Sequence, residues 1–192
     1  KNIFLKPQKL SKEESQHCIR VLRKKESDEF LITEGKGIIY IAKITAIKKD
    51  LVNYSELKIH SEFNRKTNIH IFISLPKKRS RFEWFLEKVT EIGVDTISPL
   101  ICENSEREKI NFKRCQKILI SALKQSKNHI LPQLTEPVLF KEAINNQLGH
   151  AYLAHCYSSE KKIFKEILLQ SENPKKISLF IGPEGDFSKK EL

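Results

Sequence analysis

Strand-like and helix-like segments alternate through residues 69–187, and this alternation constrains the fold more than any other feature of the chain. Continuous apolar runs predict four buried strands, at 69–75, 94–101, 151–156 and 177–181. Apolar residues at helical spacing predict three helices between them, over 82–92, over 112–126, and from Ser158 or Ser159 onward. This alternation is typical of a mostly parallel sheet covered by helices, so we expect an α/β fold.

A different pattern precedes this region. Short β-rich runs are separated by turns at 34–37 and 48–50, which is typical of a small β-barrel. Ser11, with Glu14 three residues later, predicts the start of an amphipathic helix over 11–25. The polar stretch 61–68 predicts a linker. We therefore expect two domains, a β-barrel at 1–62 and an α/β domain at 68–192.

The composition excludes several classes of protein. No apolar run approaches the roughly 20 residues that span a bilayer, and the first residues lack the pattern of a signal peptide. The sequence thus predicts a cytoplasmic protein without a membrane partner. The four cysteines are scattered and match no metal-ligand spacing, so we expect reduced structural thiols and no metal.

The net charge of +11 favours an acidic partner, and nucleic acid is the commonest one. Four of the six residues 76–81 are basic, and they follow the first predicted strand of the sheet. A solvated charged loop is the alternative interpretation of any single basic run. Two further clusters favour RNA binding, and the candidate residues are Arg20, Arg23, Lys24, Lys77, Lys78, Arg79, Arg81, Arg107 and Arg114.

The glycine-rich segment 182–185 follows the last predicted strand, where ligands bind in parallel sheets. Its two glycines permit a close backbone approach, and Pro183 stiffens the loop. Its spacing differs from the phosphate-binding loops of nucleotide-binding folds. The local pattern by itself favours a plain turn in which Ser188 begins the next helix. No nucleophile motif is present, so a hydrolase has no support in the sequence.

Several groups of residues together, in order and spacing, match one family. They are His17 with 21–23, then 34–37, 81–84 with 87–94, 97–99, 105–107, Ala122 with 125–126, Pro132, and 181–188 with Glu191. In these positions the chain resembles the RsmE-type 16S ribosomal RNA uridine-N3 methyltransferases of the SPOUT, or trefoil-knot, superfamily.

The resemblance implies a PUA-like barrel that helps to grip RNA, and a knotted α/β domain that binds S-adenosylmethionine and forms a homodimer. It implies methylation of N3 of one uridine in 16S ribosomal RNA. The residues that it assigns to the cofactor site are Ala154, His155, Ile181, Gly182, Pro183, Glu184 and Gly185. Arg81 and Lys127 are the candidate catalytic cations, because a cation near the uracil carbonyls stabilises the developing anion. The general base is not identified, and His17 and His155 are the nearest suggestions.

Three departures from the family pattern bear on these expectations. Lys127 stands where many members have arginine, which keeps the charge but loses the bidentate fork. The basic loop lacks the usual glycine after its first lysine. The family continues beyond the position of Leu192 with a Leu-Gly…Arg…Glu-Thr segment that threads the knot, so we expect the knot and the cofactor site to be incomplete over these residues.

Two alternative functions remain open at this point. The chain could be an RNA-binding module without catalysis, in which the barrel and basic loops bind ribosomal RNA. It could also be a methyltransferase of the same fold that acts on another RNA, such as transfer RNA. Binding of S-adenosylmethionine would distinguish the first alternative, and the position of the modified nucleoside would distinguish the second.

Overall fold

The computed structural model describes residues 8–157, 163–170 and 174–192, and the chain divides into two compact units between Asn64 and Arg65. The first unit is built on antiparallel strands and the second on a parallel sheet with helices. The predicted α/β fold class with an N-terminal β unit is therefore confirmed.

The N-terminal unit contains a four-stranded sheet in the order β1-β4-β3-β2, in which each pairing is antiparallel. Its elements are β1 (Gln8–Lys9), α1 (Lys12–Gln16), a π-helical turn (His17–Val21), β2 (Glu29–Thr33), β3 (Ile38–Lys48) and β4 (Leu51–Glu62). Cys18, Ile44 and Val52 form a buried core cluster in this unit. The buried Ser15 Oγ accepts a hydrogen bond from Val52 N at 3.0 Å, which fixes α1 against β4.

The first helical segment is shorter than the sequence predicts. Ser11 is its N-cap, as predicted, and Ser11 Oγ accepts from Glu14 N at 3.2 Å. The segment then widens into the π-helical turn and ends before Arg23, which has a left-handed φ of 51°. β-Branched residues disfavour a continuous α-helix, and Ile19 and Val21 lie in this turn. The prediction of a helix through residue 25 is therefore wrong by about one turn.

The C-terminal unit alternates strands and helices, as the apolar pattern predicts. Its elements are β5 (Asn68–Ser74), α2 (Arg79–Ile92), β6 (Thr96–Ile101), α3 (Phe112–Ser126), β7 (Gln133–Leu134), β8 (Val138–Leu139), α4 (Phe140–Asn146), β9 (His150–Ala154), α5 (Phe164–Gln170) and β10 (Lys176–Ile181). The short elements β7, β8 and α4 were not predicted. The strands β7 and β8 have two residues each, which are too few to show a periodicity.

The five strands β7-β6-β5-β10-β9 form one sheet in that order, and β8 also pairs with β6. All pairings among the described residues of this sheet are parallel, as predicted. On the outer side of β6, β7 pairs with Thr96 and Ile97, and β8 with Leu100 and Ile101. The gap between them contains Pro99, which has no N–H to donate to a neighbouring strand.

Apolar cores cover both faces of this sheet, because side chains along a strand point alternately to its two faces. Ile71 and Ile73 of β5 belong to the core that includes Phe82 and Leu86 of α2 and Leu119 of α3. The opposite face has a second core of Phe72, Leu100, Cys102, Phe140, Ala143, Phe180 and Phe187. β5 is buried on both faces, which explains why it reads as a continuous apolar run.

The helices α2 and α3 end where the sequence predicts. Gly93 follows α2 with a left-handed φ of 87°, and a Cβ at this position would lie 2.8 Å from Arg65 Nη2. Asn111 caps α3 by accepting from Arg114 N at 3.0 Å. None of the helices among the described residues is long and apolar enough to cross a membrane.

The predicted cap at Ser158 or Ser159 lies outside the described residues, and the described part of the third predicted helix is α5, from Phe164 to Gln170. Ile163, which precedes α5, is 63% exposed. The predicted linker 61–68 is shorter than expected, because β4 extends to Glu62 and β5 begins at Asn68.

Candidate functional site

Four loops meet at one edge of the parallel sheet. The strands β5, β6, β9 and β10 run in the same direction, so the segments after their carboxyl ends are neighbours. These segments are 75–78, 102–111, 155–157 and 182–192. Ligands of open parallel sheets bind outside this edge, so it is the candidate site.

The loop after β10 is held in shape by a buried aromatic ring. Phe187 is fully buried, and a Cβ at Gly182 would lie 2.9 Å from its ring. Asp186 N donates to Pro183 O at 2.9 Å and closes a tight turn. Only glycine at position 182 allows this close packing of loop backbone against the ring.

Asp186 connects the loops that follow β9 and β10. Its Oδ2 accepts from Cys156 N at 2.6 Å, and its Oδ1 accepts from Phe187 N at 2.8 Å. Asp186 has a left-handed φ of 63°, which aspartate tolerates better than most residues. Asn104 Nδ2 donates to the carbonyl oxygens of Gly185 and Asp186, at 3.4 and 3.0 Å. The glycine-rich loop is thus fixed from both sides by side chains.

The basic loop after β5 is attached to both of its neighbours. Glu184 Oε1 accepts from Lys77 N at 3.0 Å, and Arg107 Nη1 donates to Pro76 O at 2.8 Å. The N–H of Lys77 lowers the pKa of the Glu184 carboxyl, with smaller contributions from its own N–H and from the charges of Arg81 and Lys77. Glu184 is therefore ionised over a wider pH range than an ordinary glutamate.

A cleft of about 230 Å³ lies between the carboxyl ends of β5 and β10. Its walls are formed by Ile73, Ser74, Pro76, Arg81, Ile181, Gly182, Pro183 and Glu184. Ser74 Oγ lies 2.9 Å from Ser105 Oγ, which also accepts from Cys102 N at 2.9 Å. The cleft thus combines apolar side chains, a buried hydroxyl and one charge of each sign.

The structure brings only part of the predicted cofactor residues into this cleft. Ile181, Gly182, Pro183 and Glu184 form one wall. Gly185 lies beside Asn104 instead, and a Cβ at Gly185 would be 3.5 Å from the Cβ of Asn104. Ala154 pairs with Ile181 on the neighbouring strand, and His155 follows it. His155 Nδ1 is buried without a hydrogen-bond partner in the described part of the chain.

The two predicted catalytic cations are not brought together within one chain. Arg81 lines the cleft, in the first turn of α2. Lys127 follows the other end of α3, where Asn128 Nδ2 donates to Thr90 O and Glu91 O at the end of α2. The helices carry Lys127 to the opposite edge of the sheet, about 20 Å away for a helix of this length.

The predicted RNA-binding residues fall into two groups. Arg20, Arg23 and Lys24 lie in and after the π-helical turn of the N-terminal unit, and Arg20 is 3.9 Å from Asp50. The others lie in the C-terminal unit at or near the loop edge of the sheet; they are Lys77, Lys78, Arg79, Arg81, Arg107 and Arg114.

Arg114 is already engaged in an ion pair. Its Nε and Nη2 donate to the two carboxylate oxygens of Glu83, at 2.6 and 2.8 Å. This bidentate contact is a strong form of ion pair, although both groups are solvent-accessible. Any phosphate that binds Arg114 must compete with Glu83.

Sequence reasoning did not identify Ser74, Ser105, Asn104 or Asp186 as functional residues. Ser74 gave the clearest signal, because it is a polar residue that follows the apolar run Ile71–Ile73 at the end of β5. Asn104 and Asp186 are separated by 82 residues, so their contact could not be read from spacing.

The cysteines and carboxylates near this edge do not form a metal site. Burial and the nearby charge of Glu191 raise the pKa of the Cys102 thiol to about 12, so it stays protonated. Within residues 8–157, 163–170 and 174–192, no group of three His, Cys, Asp or Glu side chains could hold a metal ion.

Two family models match the chain. A model of the RNA methyltransferase domain matches residues 63–192, and a model of the RNA methyltransferase PUA domain matches residues 10–53. The first match covers more than half of the chain and includes all four loops of the candidate site.

Two curated relatives have the same name, ribosomal RNA small subunit methyltransferase E. The protein of Buchnera aphidicola (subsp. Acyrthosiphon pisum, strain APS) is 32% identical, over 95% of this chain and 74% of its own length. The protein of Aquifex aeolicus (strain VF5) is 30% identical, over 90% of this chain and 74% of its own length.

Solved structures are similar to the chain as well. A protein of Porphyromonas gingivalis, described as a probable rRNA-methyltransferase, has a TM-score of 0.86 at 29% identity, covering 97% of this chain and 79% of that one. A Legionella pneumophila protein solved with the bound cofactor SAM has a TM-score of 0.74 at 27% identity, covering 97% of this chain and 78% of that one.

Proposed function

Because this chain belongs to the RsmE family of small-subunit ribosomal RNA methyltransferases, we propose that it transfers a methyl group from S-adenosylmethionine to N3 of one uridine in 16S ribosomal RNA. The observation that carries this proposal is the shared cleft. Arg81, in the first turn of α2, and the glycine-rich loop line the same cleft. A site of this kind can hold an anionic RNA strand and a nucleoside cofactor next to each other.

The residues at the sheet edge fit a nucleoside cofactor. Ile181 and Pro183 offer apolar surface, and Gly182 lines the cleft between them. His155 follows the adjacent strand β9, and its buried Nδ1, which has no hydrogen-bond partner among the described residues, can pair with a polar group of a ligand. The cleft of about 230 Å³ takes only part of such a molecule, because pockets for ligands of that size usually enclose roughly 300–1,000 Å³. When bound, S-adenosylmethionine supplies an electrophilic methyl group on a sulfonium.

The chemistry at uridine requires loss of the N3 proton, because the protonated nitrogen is a poor nucleophile. Arg81 would stabilise the negative charge that develops on the uracil carbonyls, since a fixed cation in a partly enclosed cleft acts without reorganisation. Most of the remaining acceleration would come from holding N3 in line with the methyl group. The general base that removes the N3 proton is not assigned. His155, which follows β9 at this edge of the sheet, is a candidate.

We further propose that the active form is a homodimer in the cytoplasm, where ribosomal RNA is modified. Lys127 lies at the opposite edge of the sheet from Arg81, so it would contribute to this site only from a second copy of the chain. The PUA domain would add RNA contacts through Arg20, Arg23 and Lys24.

Nucleoside mass spectrometry of 16S ribosomal RNA tests the proposal. A strain without the gene should lack N3-methyluridine in 16S ribosomal RNA, and the intact gene should restore it. A gene with Arg81→Gln should restore less than about one tenth, in line with the loss of one charge-stabilising group. Unchanged N3-methyluridine, together with loss of a methylated nucleoside from transfer RNA, would reject the ribosomal target.

Calorimetry tests the cofactor separately. The intact native protein should bind S-adenosylmethionine in the absence of RNA, because the glycine-rich loop is already fixed by Asn104 and Asp186. The titration should extend to roughly a 1,000-fold excess of S-adenosylmethionine over protein, so that a weak site is also detected. No heat of binding over this range would favour an RNA-binding protein without catalysis.

A further inference from the structure

One peptide group in the basic loop is held at both ends by charged side chains. The carbonyl oxygen of Pro76 accepts from Arg107 Nη1 at 2.8 Å. The N–H of the same peptide group, on Lys77, donates to Glu184 Oε1 at 3.0 Å. Arg107 comes from the loop after β6 and Glu184 from the loop after β10, so the two side chains approach from opposite neighbouring strands.

We propose that Arg107 and Glu184 are a pair of positioning residues that hold the Pro76–Lys77 peptide and thereby place Arg81 at the cleft. This inference rests on the proposed methyl transfer, which requires Arg81 in a fixed position. It assigns Arg107 and Glu184 a different role from the RNA contact and the cofactor contact that the sequence predicts.

The start of α2 shows why such a pair is needed. The N-cap of α2 is Lys78, whose side chain makes no capping hydrogen bond. A helix without a side-chain cap has a less defined first turn, and Arg81 lies in that turn. Arg81 N donates to Lys78 O at 3.1 Å, which ties Arg81 to residue 78 of the same segment. The Pro76–Lys77 peptide group, one residue earlier, connects this segment to the two neighbouring loops. Hydrogen bonds to ionised groups are about twice as strong as neutral ones, so the peptide is held firmly on both sides.

Neighbouring contacts strengthen the same attachment. Lys77 Nζ lies 3.1 Å from Glu106 Oε2, which is adjacent in sequence to Arg107. Arg107 Nη2 also donates to Lys109 O at 3.4 Å, so its guanidinium spans two carbonyl oxygens of the protein. Two carbonyl contacts orient this guanidinium towards the protein rather than towards a phosphate.

The arrangement also connects the two binding functions of the site. Glu184 belongs to the loop that the proposed cofactor contacts, whereas the peptide that it holds belongs to the basic loop. A shift of the glycine-rich loop on cofactor binding would be transmitted to Arg81 through one hydrogen bond. We therefore expect the cofactor to change the affinity for RNA, and RNA to change the affinity for the cofactor, by the same factor.

Four proteins test the pair: Arg107→Gln, Glu184→Gln, the double variant, and Lys141→Gln as a control that removes one exposed charge from α4. The measurements are the single-turnover rate at saturating RNA and S-adenosylmethionine, and the slope of log Kd for RNA against log salt concentration. Each single variant should reduce the rate by about 10- to 100-fold, as a misplacement of about 1 Å does. The double variant should fall little further, because both changes release the same peptide. The salt slope of Arg107→Gln should equal that of Lys141→Gln.

Other results would overturn the inference. A phosphate contact at Arg107 would lower the slope by about 0.7 relative to the control and leave the saturated rate unchanged. A direct cofactor contact at Glu184 would raise the Kd for S-adenosylmethionine and leave the saturated rate unchanged. Rate losses that multiply in the double variant would show two independent roles.

Two further readouts keep the test decisive. If circular dichroism shows that Arg107→Gln is unfolded, Glu184→Gln is judged alone, because Glu184 is exposed and glutamine has the same shape. If the wild-type protein transfers no methyl group, the proposed function fails. The pair is then judged by amide hydrogen exchange, in which protection of the Lys77 N–H should fall in both single variants. Unchanged protection would reject it.

Discussion

The phenyl ring of Phe187 occupies the space that a side chain at position 182 would need. The ring is fully buried and also packs against Phe140, with centroids 5.2 Å apart. The ring therefore has protein on the side of Gly182 and on the side of Phe140. The shape of the glycine-rich loop thus depends on the packing of Gly182 against this ring and on the hydrogen bonds that the Asp186 carboxylate accepts.

Replacing Gly182 with alanine should destabilise the protein by about 1–3 kcal/mol, the usual cost of adding atoms to a packed core. The new Cβ would lie 2.9 Å from the Phe187 ring, so the loop or the ring must shift. Gly185→Ala is the matched control, because its Cβ would be 3.5 Å from the nearest atom, which is an ordinary contact. Its stability should change by no more than about 0.5 kcal/mol in urea unfolding. Equal losses in the two variants would contradict the steric explanation.

His70 gives the stability of the protein a dependence on pH. Its ring stacks on Phe72 with centroids 3.9 Å apart, and Nε2 lies 2.8 Å from Ser98 Oγ. Burial lowers the pKa of His70 from 6.5 to about 4. Between these values the unfolded chain binds a proton that the folded chain does not, so stability falls as the pH falls from 6.5 towards 4.

Replacing His70 with glutamine should remove about 1–2 kcal/mol of this pH dependence, a value reduced for partial solvent screening. Urea unfolding at pH values between 4 and 7 measures it. His60→Gln removes an exposed imidazole and serves as the control. A stability profile of His70→Gln that stays parallel to the wild-type profile would show that His70 does not titrate in this range.

At the scale of elements, α2 and α3 lie side by side, and their first turns are joined by Glu83 and Arg114. The bidentate contact at 2.6 and 2.8 Å occupies the guanidinium that the sequence assigns to RNA. The contact is solvent-accessible, so its contribution to stability is small. Its main effect is on what Arg114 can bind.

Replacing Glu83 with glutamine should therefore tighten RNA binding and make it more sensitive to salt. If Arg114 contacts a phosphate once it is released, the slope of log Kd against log salt should steepen by about 0.7. Glu87→Gln changes the net charge equally but removes only one contact of Lys88, which keeps its ion pair with Glu91 and is not among the predicted RNA contacts. Equal slopes in the two variants would show that Arg114 does not contact RNA.

The elements also show how far the sequence alone can lead. Helix α3 could be predicted to the residue, because Asn111 caps it and its buried residues recur at helical spacing. Strand β7 could not be predicted, because its two residues are too few to show a period. Its position is set by pairing with Thr96 and Ile97, just before Pro99. Lys127 was assigned to the site from the family resemblance, whereas the direction of α3 takes it to the opposite edge of the sheet.

The site was predictable only where a residue type itself carries the information. Glycine and proline identified the loop at 182–185, and a basic run identified 76–81. The contacts that shape these loops join residues 30 to 107 positions apart, such as Lys77 and Glu184, and no sequence period relates them. The parallel pairing of the strands determines these contacts, so they became visible only with the fold.

At the scale of the whole molecule, a net charge of +11 makes all RNA binding electrostatic in part. The question is whether the basic loop contributes more than the average surface does. The strand topology places this loop and the first turn of α2 beside the cleft. The basic residues there are exposed; they are Lys77, Lys78, Arg79 and Arg81. We therefore expect its charges to act as direct phosphate contacts.

Neutralising Lys77, Arg79 and Arg81 together with glutamine should reduce the slope of log Kd against log salt by about 2, since each lost contact contributes about 0.7. The control replaces Lys141, Lys165 and Lys176 with glutamine and removes the same total charge. Filter binding at several salt concentrations measures both. Similar slopes in the two triple variants would mean that the basic loop acts only through the overall charge.

Cys156 offers a practical consequence of the way the loops meet. Of the four cysteines, Cys18, Cys102 and Cys115 are buried and Cys156 is exposed. A maleimide fluorophore should therefore attach to the native protein at one position, without prior mutagenesis. That position is one hydrogen bond away from Asp186 in the glycine-rich loop. Changes in emission would then report on ligand entry at this loop in real time.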